Sequence, residues 1–253
     1  MTLFIRSERL AQHGWDAIFS TRQGGCSPAP FHDLNLGFDL GDNSHYVLHN
    51  HELLLQASGL ESFPHQATQV HGDHFLYCKG EGEMHAQEAD GLWSDQASCL
   101  LAVRTADCVP ILLADPVTGL FAAVHAGWRG TEKCIAAKMV YMMCEKGAKA
   151  EHIIASIGPC LGMCCFEINE NIASALQKSV DDIQNKFVQK IEGRLYADLS
   201  LLNQYQLKMA GLAKNHIERQ SRCTYCENEN FFSYRRDGGK TGRGLAIITA
   251  KKL

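Results

Sequence analysis

Residues 104–130, R-T-A-D-C-V-P-I-L-L-A-D-P-V-T-G-L-F-A-A-V-H-A-G-W-R-G, constrain this chain more than any other segment. Two apolar runs, 109–114 and 120–124, are joined through Asp115-Pro116-Val117-Thr118-Gly119, the pattern of two strands paired across a turn. Asp107 and Cys108 come just before the first run, and His125 just after the second. Paired strands lie about 5 Å apart, so such a hairpin brings Cys108 and His125 to one end. A cysteine and a histidine placed there are a nucleophile with its base, or two ligands of one metal. A third possibility is structural, with Cys108 a small apolar residue at a strand end and His125 a satisfied core histidine.

The remaining pattern predicts a mixed α/β chain. Apolar runs at 15–21, 66–71, 99–103, 152–157 and 245–250 read as strands. Ser44 caps a predicted helix that runs to Ser58 and stops at Gly59, and 131–146 gives a second helix ending at Gly147. Residues 169–180 and 198–213 predict two more helices. Phe31 to Asp42 is too rich in Gly and Asp for a regular element and reads as an ordered loop able to face a ligand. The polar stretch with Gly80, Gly82 and Glu83 reads as an irregular connection. Several adjacent strands look antiparallel, and no Pro/Ser-rich linker cuts the chain, so 1–253 is expected to be a single domain.

Charge and composition narrow the function. The 24 basic and 28 acidic residues give a net charge of -4, unlike the basic surfaces that bind nucleic-acid polymers or anionic membranes. No apolar run approaches the roughly 20 residues of a membrane span, and the charged first 12 residues do not resemble a signal peptide. Eleven cysteines without an export signal read as reduced thiols, which predicts a cytoplasmic protein.

His71, in Q-V-H-G, is a candidate third ligand: with Cys108 and His125 it would complete a zinc site whose fourth position is left to water or substrate. The three lie on separate segments, so spacing leaves the choice open. Cys160, Cys164, Cys165 and the Cys223-x-x-Cys226 pair offer thiols for a structural zinc, but no second C-x-x-C stands at ribbon spacing, which argues against one. Gly238-Gly239-Lys240-Thr241 resembles the end of a phosphate loop, yet Tyr234 stands where that motif needs glycine. Arg22, Arg104, Arg129, Arg235 and Arg236 are candidates for holding phosphate, against the alternative of solvated surface arginines.

Eight motifs in order along the chain then carry a resemblance: T-R-Q-G-G-C-S (from Thr21), L-N-L-G (Leu34), Q-V-H-G (Gln69), E-A-D-G (Glu88), R-T-A-D-C-V-P (Arg104), H-A-G-W-R-G (His125), I-G-P-C (Ile157) and F-F-S-Y-R-R-D (Phe231). Together they resemble the YfiH-like family, also called the laccase-domain or polyphenol-oxidase family. The resemblance implies a four-layer α/β/β/α sandwich, shared with cysteine hydrolases of the cytotoxic-necrotizing-factor kind, and a zinc site on His71, Cys108 and His125. It implies purine nucleosides and phosphate as partners: phosphorolysis of adenosine, inosine, guanosine and methylthioadenosine, and deamination of adenosine. Copper-dependent phenol oxidation is the older label, although laccase chemistry needs several coppers and more histidines than these motifs offer. In the expected site Asp107 is a proton acceptor or a structural carboxylate, Arg22 and Arg104 contact phosphate or ribose, and Asn35 contacts a polar substrate group. The rival expectations are a metal-free Cys108–His125 hydrolase or amidase and a non-catalytic metal-binding module. A monomer or homodimer fits all of these.

Overall fold

The structure, a computed structural model, describes residues 2–180 and 186–251. The chain opens with β1 (Phe4–Arg6), α1 (Glu8–Ala11) and β2 (Trp15–Ser20), then crosses a long loop to α2 (Ser44–Ser58). Four short strands follow: β3 (Gln66–Thr68), β4 (Phe75–Tyr77), β5 (Met84–Glu88) and β6 (Gly91–Ser94). β7 (Leu101–Thr105), β8 (Val109–Ala114) and β9 (Phe121–Ala126) come next, then α3 (Trp128–Glu132) and α4 (Ile135–Glu145). β10 (Ile154–Ile157), β11 (Glu167–Ile168) and α5 (Glu170–Lys178) precede β12 (Val188–Ile191) and β13 (Arg194–Ala197). The chain closes through α6 (Leu199–Met209), β14 (Ile217–Arg219) and β15 (Gly244–Ala250).

Two sheets carry the fold. One has the order β1-β2-β15-β7 and is antiparallel throughout; the other, β14-β10-β8-β9-β6-β4, has parallel pairs only at its two edges. Side chains alternate across a strand, and that alternation sets the layers. Trp15, Ala17 and Phe19 of β2 meet Leu112 of β8 and Phe121 of β9 in a buried cluster between the sheets. Their neighbours point the other way. Ile18, Leu245 and Ile247 pack on Leu54 of α2, while Ile111, Leu113 and Val124 pack on Ile135, Met139 and Val140 of α4. Burying each such side chain contributes roughly 1.5–3 kcal/mol, so a one-residue register slip on β8 or β9 would exchange two cores at once. The layers run α, β, β, α, as the motif resemblance implied.

Local differences from the sequence expectation have identifiable causes. Asn43, not Ser44, caps α2, its side chain accepting from the His45 N–H at 2.9 Å, and Gly59 closes the helix at φ 76 as expected. The helix expected over 131–146 is split, with Cys134 at φ 58 between α3 and α4. A continuous helix would give the Thr131 carbonyl to residue 135. Here it accepts instead from the Cys134 N–H and from Gln206 Nε2 of α6. β9 extends through Ala126, which puts His125 inside the strand. The strand expected over 66–71 ends at Thr68, and the segment read as irregular contains β5, paired in parallel with β3. The loop from Phe31 to Asp42 holds no helix or strand.

Candidate active site and metal centre

The β8–β9 hairpin builds two corners of the site. Its register sets Pro110 opposite His125, and alternation places His125 on the inter-sheet face with Phe121 and Ala123. Cys108 stands two residues before Pro110, at the mouth of the same sandwich. The third corner, His71, sits in the loop after β3 with φ 59, and its ring meets that of His125 edge-on at 4.9 Å. One ligand atom from each of His71, Cys108 and His125 lies within 4.8 Å of the others. Gly127 makes room for them. A Cβ there would lie 2.8 Å from His71 Cδ2 and 3.2 Å from Cys108 Sγ.

Asp90 organises this triangle from behind. Its carboxylate lies 2.8 Å from His125 Nδ1 and accepts the backbone N–H groups of Val70, His71 and Gly72. One buried side chain therefore orients both histidines: His125 through its ring, His71 through its backbone. With Nδ1–H given to Asp90, His125 turns Nε2 towards Cys108 and His71, the arrangement by which second-shell carboxylates fix metal-ligating histidines. Burial alone would push the Cys108 thiol up, but the charge and hydrogen bond of His125, with the hydrogen bond of His71, bring it down to about 6. Burial would lower His125, yet the facing Cys108 and Asp90 raise it to about 9. Each of the two groups thus favours the charged form of the other, Cys108 towards thiolate and His125 towards imidazolium. Two imidazoles and a thiolate suit zinc, which takes both donor types and keeps an open position in catalytic sites.

The triangle forms part of a cleft of about 800 Å³, within the range of small-molecule sites. Gly37, Phe38 and Asp39, from the Gly/Asp-rich loop, form one wall; Phe166 and Tyr234 lie on the lining as aromatic faces. Arg104, Arg235 and Arg243 make the cleft cationic. Burial lowers both Arg104 and Arg243, and the charge of Arg243 lowers Arg104 further. An anion between them would relieve that repulsion. Gln69 fixes Arg104 by bridging its backbone, accepting from its N–H at 2.8 Å and donating to its carbonyl at 2.9 Å.

The expected site residues divide. His71, Asp107, Cys108, His125 and Arg104 border the cleft; Arg22 and Asn35 do not. Arg22 donates to the His32 and Asn228 carbonyls, stacks on Phe232 at 4.7 Å, and borders a separate surface pocket with Arg236 and Lys240. Asn35 is fully buried, its amide spent on Gly37, Asp42 and the Arg243 N–H, so it fixes the backbone that carries Arg243. Asp107, at φ 92, gives one carboxylate oxygen to the Thr224 hydroxyl (2.6 Å) and the other to the Arg235 N–H (2.7 Å). Arg129 stacks on Trp128 away from the cleft, and Arg236 is tied to Asp237 and to backbone carbonyls. Asp90 and Arg243 were not among the expected site residues. Asp90 stood in the quoted E-A-D-G, where a carboxylate behind a ligand histidine was the signal to seek.

Residues 16–251 match the family described as multi-copper polyphenol oxidoreductase laccase. The purine nucleoside phosphorylase YlmD of Geobacillus stearothermophilus is 37% identical over 244 residues, covering 92% of this chain and 89% of that protein. The adenosine deaminase RL5, from an unknown prokaryotic organism, is 36% identical over 172 residues, 68% of this chain and 66% of its own length. The crystal structure of the Bacillus licheniformis hypothetical protein YfiH superposes with a TM-score of 0.89 at 32% identity, covering 99% of this chain and 97% of that one. Fold, motifs and relatives agree: this chain belongs to the YfiH-like, laccase-domain family.

Proposed function

We propose that this chain is a zinc-dependent purine nucleoside phosphorylase that also deaminates adenosine. The observation that carries the proposal is the convergence of His71, Cys108 and His125 beside a cleft holding Arg104 and Arg243. The names of the relatives support the substrate class. When bound, a zinc ion supplies Lewis-acid polarisation and acidifies an oxygen ligand near neutral pH. Arg104 and Arg243 hold phosphate by charge-assisted hydrogen bonds, and Phe166 and Tyr234 offer faces for the purine. In phosphorolysis a phosphate oxygen bonds to ribose C1′ as the bond to purine N9 breaks, and the base leaves with a proton. In deamination water adds at purine C6 and ammonia departs. Asp107, with both oxygens engaged, serves as a positioning residue that ties Thr224 and the Arg235 segment to the turn carrying Cys108.

The test is hypoxanthine release from inosine by the purified chain. Release that requires phosphate and vanishes in His71→Ala supports the proposal; full activity of that variant would overturn the three-ligand assignment. A second function is favoured by one observation: Asp90, His125 and Cys108 are also in the order of a hydrolase triad. Under that alternative His71→Ala holds as much zinc as the unaltered chain, and Cys108 alkylates readily.

A further inference from the structure

Four thiols converge outside the cleft. The backbone bridge between Cys160 and Cys223, closed by Thr224 N–H donating to the Cys160 carbonyl at 3.0 Å, lays the segment after β10 beside the one after β14. Cys164 and Cys165 then face Cys223 and Cys226, and the four sulfurs all lie within 4.8 Å of one another. Cys226 Sγ lies 3.4 Å from Cys165 Sγ and 3.7 Å from Cys164 Sγ. Zinc–sulfur bonds of about 2.3 Å in a tetrahedron set sulfurs roughly 3.8 Å apart, so one small ion fits between these. All four cysteines are free, and two of them are exposed.

The backbone is shaped for thiolate charge. The Gly162 N–H donates to Cys223 Sγ at 3.3 Å. A C-x-x-C turn folded in this way aims both of its sulfurs at one point. Gly162 lies close beneath it, where a Cβ would be 3.2 Å from Cys223 Cβ and 3.3 Å from Cys164 Sγ.

We propose that Cys164, Cys165, Cys223 and Cys226 bind a single structural zinc ion, separate from the centre at His71, Cys108 and His125. Four sulfurs within reach of one ion suit zinc, and a set without an open position is structural. The sequence argument against such a site sought a second C-x-x-C; in the proposed site the adjacent pair Cys164-Cys165 takes its place. The ion would staple a wall of the cleft. The Leu161 N–H donates to the Asp107 carbonyl, the Thr224 hydroxyl to its carboxylate, and Leu161 and Phe166 line the cleft itself.

The experiment is metal analysis of the full chain, purified with reductant and without chelator, beside Cys226→Ser, Cys164→Ser and His71→Ala. The expected result is about two zinc equivalents in the unaltered chain and one in each variant. Both serine variants should also lose about 5 °C or more of thermal midpoint, because an ion bound only by the folded state is removed. In Cys226→Ser the remaining equivalent should persist at the histidine centre; if that centre held no ion, His71→Ala alone would leave the count unchanged. Equal zinc in Cys226→Ser and the unaltered chain would overturn the proposal. So would disulfides among these four cysteines, or rapid alkylation of all four in the zinc-loaded chain.

Discussion

His125 Nδ1 lies 2.8 Å from Asp90 Oδ1, with both residues shut away from solvent, and Asp90 also gathers the amides of residues 70–72 that carry His71. The proposed metal centre is therefore governed by a residue that does not touch the metal. Asp90→Asn keeps the size but can offer an N–H to Nδ1, which moves the imidazole proton onto the nitrogen facing the ion. Zinc affinity should fall by about 10–100-fold. Competition with a chromophoric chelator measures this, and a nearly unchanged circular dichroism spectrum separates it from unfolding.

Arg104→Ala should raise the KM for phosphate by roughly 10–100-fold, the loss of a charge-assisted hydrogen bond worth about 1.5–3 kcal/mol. Zinc content should not change. Arg22→Ala, outside the cleft, should leave that KM within about twofold. Steady-state phosphorolysis at saturating inosine reads both variants.

Gly127→Ala tests the close approach of the two strand ends. Its backbone, at φ -69 and ψ 175, suits alanine, so the added methyl acts only through space, against His71 and Cys108. Activity should drop by about tenfold or more through misplaced ligands, with a thermal midpoint near that of the unaltered chain.

Zinc uptake should depend on pH in two stages. Binding needs His125 neutral and Cys108 ionised, while in the metal-free chain His125 loses its proton at about 9 and Cys108 at about 6. Between those values the ion displaces one proton, so affinity weakens about tenfold per unit as pH falls. Below about 6 the proton on Cys108 must be displaced as well, so the dependence on pH steepens further. A chelator titration across pH 5 to 9 gives the profile; a flat one would contradict the ligand set.

Much of this was legible in the sequence because it is local. The hairpin of β8 and β9, the α2 stop at Gly59 and the apolar run of β15 follow from neighbouring residues alone. What escaped depends on distant partners. Asp90 reaches His125 across 35 positions, and Arg243 joins Arg104 only because β15 pairs with β7. The break at Cys134 needs Gln206 from α6 to take the Thr131 carbonyl. β4 is only three residues long and β5 is largely exposed and polar, so they form strands by pairing with β6 and β3. Arg22 and Asn35 were drawn in by their motifs, yet those motifs serve the packing of the 21–37 loop and of the segment bearing Arg243.

The most direct test of the account is anomalous scattering at the zinc edge from crystals of the full chain grown with inosine and phosphate. A peak is expected about 2.0–2.3 Å from one nitrogen each of His71 and His125 and from Cys108 Sγ, with the fourth position facing the Arg104 side of the cleft. A map with no peak at that triangle, and Cys108 Sγ instead joined to a substrate fragment, would contradict it.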